Sequence, residues 1–309
     1  MNRRLLLKNL ALSSLSTPFL AEAAAKPLIK NATPENTSVR FAHVTDVHIF
    51  PFISATRGFG KCLHHLQNLP VPPDFIINGG DAVLDAHKTS LGLAQRQWQA
   101  WHQVLKSENS LPVYHTLGNH DIWCKDNAEQ AFVDGKKLAT DELELAKPYY
   151  SFTKNNWKII VLDSIQKGEG EKWYTAQIDQ EQLHWLKTEL KNTPKTQFIA
   201  VVSHVPILAA CVFFDGKRHE NQAWRVPDAW MHADMSDLTA LFYKHPNVKL
   251  ALSGHIHLRD EVQYNGLTYC CNGAVSGAWW AGNYQQTAQG YAVVDLFEDG
   301  TFKNQYVAY

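Results

Sequence analysis

The chain has 309 residues, 45% of them hydrophobic and 19% charged, and a formal net charge of -1. That is enough apolar material for one large core or two small ones, and there is no basic excess to hold nucleic acid phosphates by counterion release. A phosphorylated ligand would therefore have to be drawn by bound cations rather than by Lys and Arg, and nucleic acid is not expected as a partner.

Residues 1–25 read as an export signal. Arg3-Arg4 followed by Leu5-Leu6-Leu7-Lys8 gives a basic start resembling the twin-arginine type, Leu10 to Leu20 is modestly apolar, and small residues lead to a cleavage point after Ala23 or Ala25. The apolar stretch is too short and too polar to span a bilayer stably. Export to a bacterial periplasm is the expectation. Residues 26–38, polar and carrying Pro27 and Pro34, read as a flexible lead-in, so the folded domain is expected over 39–309.

From there β-branched apolar runs alternate with helical periodicity: strand 40–45, helix 58–68, strand 74–78, helix 90–107, strand 112–116. This is the rhythm of a largely parallel sheet. A hairpin is expected over 149–163, a helix over 179–191 and a strand over 198–202. A helix over 236–243, a strand over 248–252 and an antiparallel finish to residue 307 complete an α/β chain of two sheets flanked by helices. Two stretches, 122–148 and 211–233, have no place in this scheme and read as cap-like insertions, because each follows a polar motif within a few residues. The five cysteines show no Cys-x-x-Cys spacing and are odd in number, so at least one stays unpaired within the chain, and Cys270 and Cys271 are assigned to packing.

Polar clusters sit directly after five of the strands: Asp46-Val47-His48, Gly80-Asp81, Gly118-Asn119-His120-Asp121, Ser203-His204 and Gly254-His255-Ile256-His257. Strand ends of an open α/β sheet are where ligands bind. Residues two apart on a strand share a face, so Asp46 with His48, and His255 with His257, are expected to reach one site together. Carboxylate, amide and imidazole donors suit divalent transition metals (Mn, Fe, Zn, Co or Ni) and argue against an all-oxygen calcium cage.

In this order, over residues 40 to 260, these motifs resemble the calcineurin-like metallophosphoesterase family, and the compact Asp-x-His and Gly-Asn-His-Asp frame is similar to its class III cyclic-nucleotide phosphodiesterase type. The resemblance implies a four-layer αββα sandwich of two mixed β-sheets. It implies two divalent metal ions, the first held by Asp46, His48 and His257, the second by Asn119, His204 and His255, with Asp81 bridging. A hydroxide shared by the metals would attack phosphorus in line. His120 would protonate or steady the leaving oxygen, with Asp121 fixing its tautomer or raising its basicity. A purple acid phosphatase is not implied, because Leu84 stands where that branch carries tyrosine. The expected substrate is a small phosphodiester or phosphomonoester. The alternative is a noncatalytic metal-binding or partner-binding module on the same fold. Trp279 and Trp280 either line the cleft or pack under the second sheet, and Phe50, Phe52 and Trp123 are candidate substrate contacts.

Overall fold

The computed structural model describes residues 37–126, 128–170 and 172–309, so the expected export signal and all but the end of the expected lead-in lie outside the described residues. Its first half runs β1 (Thr37–Val44), α1 (Ile53–Gln67), β2 (Phe75–Asn78), α2 (Leu91–Glu108), β3 (Val113–His115), α3 (Glu129–Glu142), β4 (Tyr150–Lys154) and β5 (Trp157–Val161). There follow β6 (Ile165–Lys167), β7 (Tyr174–Ala176), α4 (Gln180–Asn192), β8 (Phe198–Val202), β9 (His219–Glu220) and β10 (Ala223–Trp224). The chain closes with α5 (Met235–Tyr243), β11 (Val248–Ser253), β12 (Asp260–Tyr264), β13 (Leu267–Cys271), β14 (Gly290–Phe297) and β15 (Phe302–Ala308).

Two mixed sheets form the centre. One has the order β15-β14-β1-β2-β3, the other β12-β13-β11-β8-β5-β4. Within the first, β1, β2 and β3 are parallel, with Phe41 opposite Phe75 and Ile76 opposite Val113, while β14 pairs antiparallel with β1 and β15 antiparallel with β14. Within the second, β5, β8, β11 and β13 are parallel and the edges β4 and β12 antiparallel.

The period of two in each strand is what makes the layers. On β1, Val39 and Phe41 point into a core shared with Trp157, Ile159, Ala200, Val202 and Leu250 of the other sheet. Ala42 and Val44, one residue out of phase, point instead to Phe59, Leu63, Trp98 and Trp101 of α1 and α2. On β5 the in-between residue Ile160 meets Leu186 and Leu190 of α4 and Leu238 and Phe242 of α5. Helices, sheet, sheet, helices: the four-layer sandwich follows from strands that are apolar on both faces.

Helix α1 begins at Ile53, five residues before its expected start at 58. Its Phe52 cap makes no side-chain bond, and Gly58 and Gly60 blur the apolar period. Gly58 has a packing reason: a Cβ there would come within 2.1 Å of the Trp280 ring. By contrast α2 and α4 start where expected, with the Ser90 hydroxyl accepting from Leu93 N and the Asp179 carboxylate accepting from Gln182 N. Cys62, Cys124, Cys211, Cys270 and Cys271 are all free and buried.

The stretch 122–148 does not cap the cleft. Its α3 packs into the body, Phe132 against Ile165 and Val205, and Ala139 against the α1–α2 core. The Lys136 ammonium pairs with Asp163 at 2.6 Å and so ties α3 to the β5–β6 turn. Among the described residues no helix is long and apolar enough to cross a membrane.

Candidate active site

All five polar clusters lie just beyond the C-terminal ends of parallel strands: Asp46 after β1, Asp81 after β2, Asn119 after β3, His204 after β8 and His255 after β11. The period-two expectation for the paired residues does not hold, because β1 ends at Val44 and β11 at Ser253. The backbone instead turns left-handed at Asp46 (φ 55°), His48 (φ 48°), Asp81 (φ 53°), His255 (φ 71°) and His257 (φ 59°). For residues carrying a Cβ, each such turn costs about 1–2 kcal/mol. The strain is held by the surrounding loops. Asp46 N donates to Gly80 O at 3.0 Å, His48 N to Asp81 O at 2.9 Å and Ile49 N to Ala82 O at 2.9 Å, which locks two of the loops side by side.

Asp46, His48, Asp81, Asp121, His204 and His257 are fully or almost fully buried. Asp46, His48 and His257 bring one donor atom each into a first group, and Asp81, His204 and His255 into a second, with the atoms of each group within 4.8 Å of one another. His48, Asp81 and His120 form a third such group that overlaps both. Asp81 is shaped to serve two sides. Its Oδ1 accepts from His120 N at 2.8 Å, leaving Oδ2 at 3.1 Å from His204 Nε2 and 3.8 Å from His48 Nε2. Gly254 admits Asp46 to the cluster: a Cβ there would stand 2.2 Å from Asp46 Oδ2, which accepts from His255 N at 2.9 Å.

The imidazoles test whether this donor set fits a cation. His48 Nδ1 lies 3.2 Å from Leu84 O, His257 Nδ1 2.6 Å from Gly277 O and His204 Nδ1 2.9 Å from Gly79 O. A carbonyl oxygen only accepts, so each Nδ1 carries a proton, and whichever of these rings is neutral turns a bare Nε2 lone pair inward. The Nε2 atoms of His48 and His257 then face each other at 3.0 Å, with Asp46 Oδ1 3.4 Å from the latter. Two lone pairs at that distance repel unless a positive charge lies between them. Burial pushes His48 down to about 3, so its ring is a poor source of that charge. A divalent cation fits, and the buried Asn119 Oδ1, which has no hydrogen-bond donor, offers one more oxygen of the same kind.

Electrostatics divide the remaining groups. Burial would raise the Asp46 carboxyl, but His257 and His204 outweigh it and hold it well below the usual range. Burial alone would lower His204 and His120, yet Asp81 overrides it in both, with Asp85 adding to the effect on His120, so that each rises to about 9. His255 is pushed down to about 3 by burial and the charge of His204.

Asp121 is not the partner of His120. Its oxygens accept from the backbone N–H groups of Asp81, Val83 and Gly118 at 2.9–3.2 Å, which shapes the loop instead. Burial and the Asp81 charge raise its carboxyl to about 7. The carboxylate facing His120 is Asp85, 3.4 Å from Nδ1. No motif flagged it, because its role depends on a loop that folds back from β2.

The open face of the cluster is a cavity of about 210 Å³, floored by Asp81, Asn119, His120, His255 and His257. Its outer wall is Tyr174, Asp215, Trp230, Trp279 and Tyr284. The 211–233 stretch therefore reaches the site through Asp215 and Trp230. Trp279 lines it, 4.5 Å from the His257 ring, whereas Trp280 packs over Gly58 and donates through Nε1 to His48 O at 3.1 Å. Phe50, Phe52 and Trp123 are not in the wall: the first two rings pack together at 4.5 Å, and Trp123 Nε1 donates to Thr89 O.

The chain matches the calcineurin-like phosphoesterase family over residues 39–259. It belongs to that family. Among its relatives, a 3′,5′-cyclic-nucleotide phosphodiesterase of Nostoc sp. is 26% identical over 283 residues, 87% of this chain and 91% of that one. The 3′,5′-cyclic adenosine monophosphate phosphodiesterase CpdA of Escherichia coli is 22% identical over 278 residues, 86% of this chain and 88% of that one. A dimetal phosphatase from Danio rerio superposes with a TM-score of 0.64 at 14% identity, covering 88% of this chain and 98% of that one, which shows the shared fold.

Tyr174 is a site residue that sequence reasoning missed, lying on the short β7 that carried no apolar run. Its hydroxyl sits 3.0 Å from Ala229 O and 3.3 Å from His255 Nε2. Donating to the carbonyl, it can accept only from an Nε2–H, which leaves His255 Nδ1 bare, 3.2 Å from His204 Nε2. Tyr174→Phe frees the ring tautomer and is expected to weaken metal binding at the His204–His255 group by about 10–100-fold. Competitive titration with a chelator measures this; unchanged affinity would show that His255 needs no such support.

Proposed function

We propose that this metal-dependent phosphoester hydrolase is a phosphodiesterase working with two divalent cations. Asp46, His48 and His257 would hold the first and Asn119, His204 and His255 the second, with Asp81 contributing to both. The observation that carries the reading is the confrontation of the His48 and His257 lone pairs at 3.0 Å beside a buried carboxylate. When bound, such cations supply Lewis-acid polarisation of phosphoryl oxygens and make water acidic enough to serve as a nucleophile near neutral pH. The formal charge of -1 shows no surplus of basic side chains to do that work.

The protein's own groups supply the rest. The buried loops fix the donors in place, and the Asp81 Oδ1 bond from His120 N sets the height of the His120 backbone over the floor. His120, with the Asp85 carboxylate 3.4 Å from its Nδ1, is placed to give a proton to the leaving oxygen. The aromatic outer wall restricts water on that side of the cavity. A diester is favoured over a monoester because the cavity continues past the donor cluster to Asp215 and Trp230, giving a second ester arm a place to lie. The names of the Nostoc and Escherichia coli relatives support the same preference. The completeness of the donor set, with His120 and its carboxylate partner both present, favours an enzyme over a noncatalytic module.

Chelator-stripped protein reloaded separately with manganese, iron, zinc, cobalt and nickel should hydrolyse bis-p-nitrophenyl phosphate faster than p-nitrophenyl phosphate. A monoester preference would make the chain a phosphatase. Silence with every metal, despite bound ions, would favour the noncatalytic module.

A further inference from the structure

We propose that the outer half of the cavity is a subsite for a small organic ammonium group, preferably quaternary, carried on one arm of the phosphodiester. The inference rests on the phosphodiesterase reading and narrows its substrate class. It begins from an oddity: a pocket meant for an anionic ester has a carboxylate, Asp215, in its wall. Asp215 Oδ1 accepts from the Tyr284 hydroxyl at 2.6 Å and from Gln285 Nε2 at 3.3 Å, both neutral donors. The nearby Arg218 does not reach that carboxylate in hydrogen-bond contact. Its Nε donates to the main-chain oxygen of Asp215 at 2.7 Å, and its guanidinium lies 3.7 Å from the centre of the Trp230 ring, lining a neighbouring groove with Lys172 and Lys217.

The other walls are largely aromatic. Trp279 stands 5.8 Å from Tyr284 at an interplanar angle of 90°, and Trp230 and Tyr174 complete the aromatic lining around Asp215. Aromatic faces with one carboxylate form the chemistry that holds a tetraalkylammonium: diffuse positive charge against ring quadrupoles, with no hydrogen bond to satisfy. A phosphate arm would lie on the donor cluster and its ammonium end against Asp215, so the two ends of a zwitterionic diester would meet charges of opposite sign. Size agrees. At about 210 Å³ the cavity is smaller than the roughly 300–1,000 Å³ typical of drug-sized ligands, so it suits a phosphate with a compact headgroup better than one with a nucleoside.

The test compares kcat/KM for p-nitrophenyl phosphorylcholine and for its neutral isostere, in which carbon replaces the ammonium nitrogen, with bis-p-nitrophenyl phosphate as reference. The choline ester should be preferred over the isostere by about tenfold or more. That ratio should collapse towards one in Asp215→Asn and fall in Trp279→Leu. Equal rates for the two esters in the wild-type enzyme, with the reference diester still cleaved, would overturn the subsite and leave the phosphodiesterase reading standing. If no diester is cleaved, that reading fails, and tetramethylammonium titrated against tryptophan fluorescence decides the subsite alone. Saturable quenching that is lost in Asp215→Asn supports it; no saturable change overturns it.

Discussion

His204→Ala is expected to reduce turnover of every phosphoester substrate by about 10³-fold or more and to leave one of the two proposed cations unbound. The side chain is fully buried, and its Nε2 is the donor that faces both Asp81 Oδ2 at 3.1 Å and His255 Nδ1 at 3.2 Å. Removing it takes a central donor from the second group while leaving Asp46, His48 and His257 intact. Metal content by mass spectrometry, measured beside turnover, checks both parts. A variant that keeps two ions per chain and works within tenfold of wild type would refute the assignment, and circular dichroism separates that result from misfolding.

His120→Ala should act very differently on different substrates. An alkyl diester, whose alkoxide leaves poorly, needs the proton that His120 is placed to give and should slow by about 10²–10⁴-fold. A nitrophenyl ester leaves as a stable anion and should slow by less than about tenfold. Asp85→Asn should reproduce the same pattern more weakly, because Asp85 acts only through the imidazole 3.4 Å away. Equal losses on both substrates would mean that His120 holds the phosphoryl group rather than protonating the leaving oxygen.

The donor residues were legible in the chain because their signals are local. Each follows an apolar β-branched run, and residues such as Asp46, Asn119 and His257 keep a fixed order that the fold reads out at parallel strand ends. The layering was legible for the same reason: strands such as β1 and β5 are apolar on both faces and so demand partners on both sides. What the pattern misjudged was how donors are aimed. The expectation of two residues on one strand face gave way to left-handed turns at Asp46, His48, His255 and His257, a conformation no periodicity announces.

The partners of those donors belong to another class of information. Asp85 beside His120, Tyr174 beside His255, and Asp215 and Tyr284 in the outer wall are far from their neighbours in sequence or lie in irregular loops, and none carries a motif. Asp121 shows the cost of judging by adjacency: next to His120 in the chain, it turns inward to bind three backbone N–H groups. Strand periodicity and motif order are properties of consecutive residues, so the layers and the candidate donors could be read along the chain. Which groups orient, protonate and wall the site could not be read that way, because those contacts form between loops whose meeting depends on the packing of both sheets.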